Sequence, residues 1–134
     1  MQLLETAALY VGANLLILLI LSVLVVAGRQ KHKIVLGDGE NAVFSRAVRA
    51  HANAAEYIPG ALIGLVTLAL FDPATPAWLL HAAGLSLTSG RILHGVGLHA
   101  GALNWGRTVG MTLTWLSYLL IVGGLLYAAV TQQL

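Results

Sequence analysis

Residues 6–28 read TAALYVGANLLILLILSVLVVAG, an uncharged run of 23 residues between Glu5 and Arg29. An α-helix rises about 1.5 Å per residue, and a bilayer's hydrocarbon core takes about 20 apolar residues to cross. The run predicts a transmembrane helix. It does not have the form of a secretory signal peptide: no basic segment precedes it, Glu5 stands before it, and the apolar run is long for one. At the other end of the chain no charge follows Arg107, and residues 108–130 are mostly apolar. Composition agrees. Of 134 residues, 58% are hydrophobic and 9% charged, with a mean hydropathy of +0.85. Soluble domains carry about 25% charged residues, so this chain cannot cover a water-facing surface of its size. A net charge of +2 is too small to argue for nucleic acid. With no cysteine, the chain has no disulfide, thiol nucleophile or thiolate metal site of its own.

Two further spans lie between. One, from about Asn41 to Phe71, is punctuated by Arg46, Arg49, His51, Asn53 and Glu56; the other starts near Ala77 and meets Arg91 and His94. Gly37-Asp38-Gly39 is a turn signal. Asp72-Pro73 stops a helix, and Thr75-Pro76 restarts one, with Thr75 as N-cap and Pro76 in the first helical position. Asn104 is placed to cap the last span. The expected fold is an all-α membrane protein, a four-transmembrane-helix bundle forming a single domain over residues 1–134. Its spans are expected at about 6–28, 43–71, 77–98 and 107–130.

The seven basic residues gather near one face. Arg29, Lys31 and Lys33 lie in the first connection, Arg46 and Arg49 just beyond it, and Arg91 and Arg107 flank the third. By the positive-inside rule that face is cytoplasmic and both termini are outside. Tyr10 and Trp78 are expected as interfacial anchors on the far side, and Trp105 on the near side.

The chemistry is expected in the second span. Arg46, Arg49, Asn53 and Glu56 are spaced three, four and three. At 100° per residue they occupy a sector of about 80°, with Tyr57 at its edge. Glu56 lies about 15 Å along the axis from Arg46. A charge at a helix centre costs about 2.5–3.5 kcal/mol on insertion scales, so such residues face a partner or a wet cavity. One reading is an ion-pair network between helices; the other is a polar binding groove. In the third span Arg91, His94 and Leu98 share a side. Two arginine-bearing faces make a cationic cleft with one acid, suited to a small zwitterion carrying more than one carboxylate, because guanidinium forks bind carboxylates in bidentate fashion. His94 and His99 are five apart and do not share a face; there is no HExxH, and no metal site is expected. Asn14 reads as interhelical glue, His81 as a hydrogen-bonding group within the bundle, and Gly84, Gly90, Gly95 and Gly97 as points of close helix contact.

The string RAVRAHANAAEYIP, residues 46–59, resembles the second-helix signature of the MAPEG family, the membrane-associated proteins in eicosanoid and glutathione metabolism. The signature is Arg-x-x-Arg-x-x-x-Asn-x-x-Glu-Tyr-x-Pro, matched by Arg46, Arg49, Asn53, Glu56, Tyr57 and Pro59. RILH, residues 91–94, resembles the third-helix motif of microsomal glutathione transferases, and KIVLGDGEN, residues 33–41, is similar to bacterial members. The resemblance implies a homotrimer in a bacterial inner membrane, binding glutathione between subunits near the cytosolic side and activating its thiol as a thiolate. It implies glutathione contacts from Arg46, Arg49, Asn53, Glu56 and Tyr57, a pocket also lined by Arg91 and His94, and Arg29 reaching the ligand from above. Arg107 matches the arginine that stabilises the thiolate. The electrophile or lipid hydroperoxide would arrive from the bilayer.

Two positions depart from the pattern. Leu98 stands where several members carry tyrosine, and His51 where a eukaryotic member carries glutamine. Two function classes are therefore expected: a glutathione-dependent transferase or peroxidase, and a non-catalytic scaffold holding glutathione or a lipid.

Overall fold

The structure is a computed structural model describing residues 2–71, 75–101 and 104–131, and all regular structure among these is helical. Four helices follow in order: α1 (Gln2–His32), α2 (Ala42–Leu70), α3 (Ala77–Ala100) and α4 (Trp105–Thr131). Tyr10 meets His81 and Asn14 meets Thr88, so α1 and α3 run the same way. Gly90 meets Gly110 and Gly97 meets Arg107, so α3 and α4 run oppositely. Tyr57 meets Tyr118 and Gly64 meets Ile121, so α2 and α4 are parallel. The result is an up-down-up-down bundle.

α1, α2 and α4 are long and apolar enough to cross a membrane. α3, with 24 residues, is about 36 Å long at 1.5 Å per residue, so its length suffices. Its composition is what sets it apart: Arg91, three histidines and several hydroxyls dilute its apolar content. It packs against all three other helices, and Arg91 and His94 are covered by protein.

The core is built from small and branched residues. Ala50, Ala54, Ile58, Leu65 and Leu68 of α2 meet Leu80, Ala83 and Leu87 of α3, all nearly inaccessible. Leu9, Leu16, Leu19, Ile20 and Val23 of α1 face outward, as a lipid-facing surface requires. Lipid tails are as apolar as leucine, so helix association rests on close packing and interhelical hydrogen bonds. Asn14 supplies one: its Nδ2 donates to Thr88 Oγ1 at 2.8 Å and to the Tyr10 carbonyl at 2.9 Å.

The α1–α2 connection turns where expected. Gly37 and Gly39 adopt φ of 69° and 58°, the left-handed region that favours glycine. Asn41 caps α2, its Oδ1 accepting from the Val43 and Phe44 amides at 3.1 and 3.0 Å. Asp38 accepts from the Glu40 amide at 3.2 Å. The Ser45 hydroxyl first, then that amide, hold its carboxyl below the usual carboxylate range.

Two expectations need correction. Pro76, not Thr75, is the N-cap of α3, and no side chain caps it. The Thr75 hydroxyl instead donates to the Leu68 carbonyl at 2.8 Å, adding a second bond to a carbonyl that already accepts from the Phe71 amide at the end of α2. Tyr10 is not an interfacial anchor: it is buried, and its hydroxyl bonds His81 Nδ1 at 2.9 Å. Trp78 and Trp105 are exposed. The expected stop at Asp72-Pro73 lies outside the described residues.

The α3–α4 seam is the closest in the bundle. A Cβ at Gly110 would stand 2.5 Å from the His94 amide nitrogen and 2.7 Å from the Gly90 carbonyl oxygen, both backbone atoms that cannot step aside. Gly110→Ala is expected to destabilise the bundle by about 1–3 kcal/mol through overpacking. Gly12→Ala, where nothing lies within 4 Å of the added carbon, should cost nothing. Denaturant unfolding in detergent compares the two; equal stabilities would contradict the seam.

Candidate binding site

A cavity of about 200 Å³ opens at the end of the bundle where the α1–α2 and α3–α4 connections lie. The first turns of α2 contribute Ser45, Arg46, Arg49 and Asn53; α3 contributes His94 and Leu98; α4 contributes Arg107. Arg107 is placed by Asn104. That side chain donates to the Gly97 and Gly101 carbonyls at the end of α3 and accepts from the Arg107 amide at 3.2 Å. One asparagine thus closes one helix and opens the next, as its sequence position predicts. Gly97 and Gly106 let the two backbones meet here.

The lining holds three guanidinium groups, an amide, an imidazole and a hydroxyl, and no carboxylate. Arg46 Nε is buried and has no hydrogen-bond partner among the described residues. Guanidinium groups in such an array can pair with carboxylates or other acceptor groups in bidentate fashion. A second cavity of about 290 Å³ lies on the other side of Arg107 and His94, which line both; Met111, Thr112 and Trp115 belong to it.

Behind the wall lies Arg91, 2% exposed. Its Nε donates to Thr114 Oγ1 at 3.0 Å, Nη1 to Asn53 Oδ1 at 2.8 Å, and Nη2 to Thr114 Oγ1 at 2.5 Å and Met111 Sδ at 3.3 Å. Thr114 Oγ1 in turn donates to the Gly110 carbonyl at 2.8 Å. The guanidinium lies over the Tyr57 ring, 5.5 Å from its centroid. Tyr57 packs edge-on against Tyr118, whose hydroxyl donates to the Tyr57 carbonyl at 2.7 Å. These bonds tie α2, α3 and α4 together beneath the cavity floor.

Of the residues singled out by sequence, the cavity gathers Arg46, Arg49, Asn53, His94 and Arg107. Arg91 and Tyr57 sit behind it. Arg29 and Glu56 lie outside it. The Arg29 guanidinium covers the Phe44 ring at 5.6 Å and donates to the Val35 and Gly37 carbonyls at 3.3 and 3.2 Å. It holds the α1–α2 connection in shape. Glu56 is exposed on the outer face of α2 and bonds none of the described residues. The helical wheel explains the split. The stripe straddles the boundary of the buried face, with Arg46, Asn53 and Tyr57 on the inner edge and Arg49 and Glu56 about 60–80° round from Arg46. The spacing rule also missed Ser45, Thr114 and Tyr118. Thr114, Ser117 and Tyr118 as polar residues inside an apolar span were the available signal.

A bundle of apolar helices with an arginine-lined cavity at one end defines an integral membrane protein. The comparisons narrow this class. The sequence model of the MAPEG family matches residues 7–127, which include every lining residue of the cavity, and the chain belongs to that family. It is 35% identical over 116 residues to the Escherichia coli (strain K12) protein "Inner membrane protein YecN", a span covering 87% of this chain and 86% of the relative. The protein of the same name from Escherichia coli O6:H1 (strain CFT073) matches with the same identity and coverage.

Proposed function

We propose that this protein is a glutathione-dependent transferase or peroxidase of the inner membrane, acting on lipophilic substrates. The observation that carries the reading is the cavity that Arg46, Arg49 and Arg107 share with Asn53 and His94. Glutathione carries two carboxylates for guanidinium forks and one thiol. Free thiols have a pKa of about 8.5, and a fixed guanidinium near sulfur favours the thiolate, more so where water is scarce. Arg107 is the residue assigned to the thiolate. It stands between the basic cavity and the one lined by Met111 and Trp115, which suits a reacting centre between a polar ligand and an apolar one.

In the transferase reaction the sulfur lone pair forms a C–S bond with the electrophilic carbon. The leaving group departs with its bonding electrons, or an epoxide oxygen keeps them and takes a proton. In the peroxidase reaction two glutathiones are oxidised to the disulfide while a hydroperoxide is reduced to alcohol and water.

The reading includes assembly and orientation. A cavity of about 200 Å³ is below the usual range for ligand pockets, about 300–1,000 Å³, and Glu56 is exposed on the outer face of α2. A homotrimer answers both: a second copy completes the cavity, and Glu56 faces that copy, where it can meet the glutathione ammonium. The basic face is cytoplasmic and the termini are outside. Leu98 lines the cavity where tyrosine would offer a hydroxyl, and this favours a second reading, a scaffold that holds glutathione without activating it.

Glutathione titrated with purified protein separates these. An enzyme develops thiolate absorbance well below the free thiol's pKa. Bound glutathione without thiolate favours the scaffold. No binding removes both, and native mass spectrometry of the same sample reads the stoichiometry.

A further inference from the structure

Arg91 is a buried cation with no carboxylate partner among the described residues. Its acceptors are the hydroxyl of Thr114, the amide oxygen of Asn53, the sulfur of Met111 and the face of the Tyr57 ring. An isolated charge in the membrane region persists only when its surroundings are arranged for it. The arrangement has a consequence for Asn53. Guanidinium only donates hydrogen bonds, whereas an asparagine amide has one accepting end and one donating end. The atom of Asn53 facing Arg91 must therefore be Oδ1, and Nδ2 is turned the other way. Nδ2 donates to none of the described residues, and Asn53 lines the basic cavity.

We infer that Arg91 is a positioning residue that sets the specificity of the cavity: by holding Asn53 Oδ1 it fixes the side-chain amide as a donor, so that this position accepts a carboxylate and discriminates against a carboxamide. Arg91 itself does not touch the ligand. A free asparagine can flip and serve either group, since a carboxamide offers both a donor and an acceptor. Arg91 removes that choice. A carboxamide presented to Nδ2 brings its own N–H groups among Arg46, Arg49 and Arg107, which only donate, and leaves them to compete for the Ser45 hydroxyl and the His94 ring, the two neutral acceptors on the wall. Unpaired polar groups in a poorly solvated site are what give large discrimination. Met111 and Thr114 hold the far side of the guanidinium, and Thr114 is anchored to the Gly110 carbonyl. The glycine seam and the specificity device therefore share one element.

The inference rests on the cavity being the glutathione site, and its test separates the two claims. Purified protein in detergent is titrated with glutathione and with glutathione whose glycine or γ-glutamyl carboxylate has been converted to carboxamide. The wild type is expected to prefer the carboxylate form by about 10-fold or more at one of the two positions. In Arg91→Met that preference should collapse towards unity. Asn53→Asp places an acceptor in the cavity and pairs with Arg91; it should lose the carboxylate preference while keeping the bundle intact, which covers the case of an unfolded Arg91 variant. A purely structural role for Arg91 would lower stability and leave the ratio unchanged, and an unchanged ratio in a folded variant overturns the inference. A ligand-free readout stands beside these. The ¹³Cγ resonance of Asn53 should move upfield in Arg91→Met as its carbonyl loses a charged donor, and propionate, but not propionamide, should shift the Nδ2 protons of the wild type. If glutathione fails to bind but these two signals appear, the glutathione reading falls and the positioning role stands. If they are absent, the positioning role falls.

Discussion

Replacing Arg107 by alanine is expected to slow turnover with a generic electrophile about 10²–10³-fold at neutral pH, the usual loss when one oriented electrostatic contact leaves a reacting centre. The expectation follows from a division of labour in the proposed site. Arg46 and Arg49, on α2, hold carboxylates, while Arg107, on α4 and on the border between two cavities, holds the sulfur. A guanidinium beside sulfur stabilises the thiolate and does little for the neutral thiol. The variant should therefore show a raised apparent thiol pKa, and raising the pH should recover part of the lost rate, because bulk hydroxide then supplies the ionisation. Affinity for an S-alkylated glutathione, which has no thiol to ionise, should change far less. The measurement is a pH–rate profile of wild type and variant. Superimposable profiles would remove Arg107 from the chemistry.

Arg49→Ala is expected to weaken glutathione binding by about 2–5 kcal/mol, since it leaves a poorly solvated ligand charge unpaired. Unlike Arg91, Arg49 makes none of the bonds that tie α2 to α3 and α4, and it lies on the exposed side of the stripe. Its loss should leave unfolding unchanged, so binding can be read without a folding artefact. Glu56→Ala should weaken binding by a similar amount only in the assembled protein, because Glu56 lies outside the single-chain cavity. Isothermal titration on the intact oligomer decides both. Unchanged affinity would assign the stripe a structural role.

Much of this was legible in the sequence, for identifiable reasons. Apolar runs between charges gave the first and last helices, because bilayer thickness fixes span length. The spacing of Arg46, Arg49 and Asn53 gave their shared cavity, because they sit within one turn or two of each other on one helix. What spacing cannot give is how a helix is rotated in the bundle. A rotation of a few tens of degrees decides that Asn53 lines the cavity and Glu56 faces outward, and neighbouring helices set it. The inward turn of Arg91 was hidden for the same reason: its acceptors are Asn53, 38 residues earlier, and Thr114, 23 residues later. Thr75 reads locally as the cap of the following helix, yet its hydroxyl reaches back to a carbonyl of the helix before it.

The polar make-up of α3 also bears on how the chain enters the membrane. For α1 and α4, lipid is an adequate solvent on its own, so insertion and later packing are separable steps. α3 differs: it is long enough but not apolar enough. The groups that make lipid hospitable to Arg91 are the hydroxyl and thioether of α4 and the amide of α2. For this helix, docking against its neighbours offsets the cost of placing a charge in the bilayer. The α3–α4 hairpin, closed by Asn104 and interlocked at Gly90 and Gly110, carries two of those partners, Thr114 and Met111, within itself.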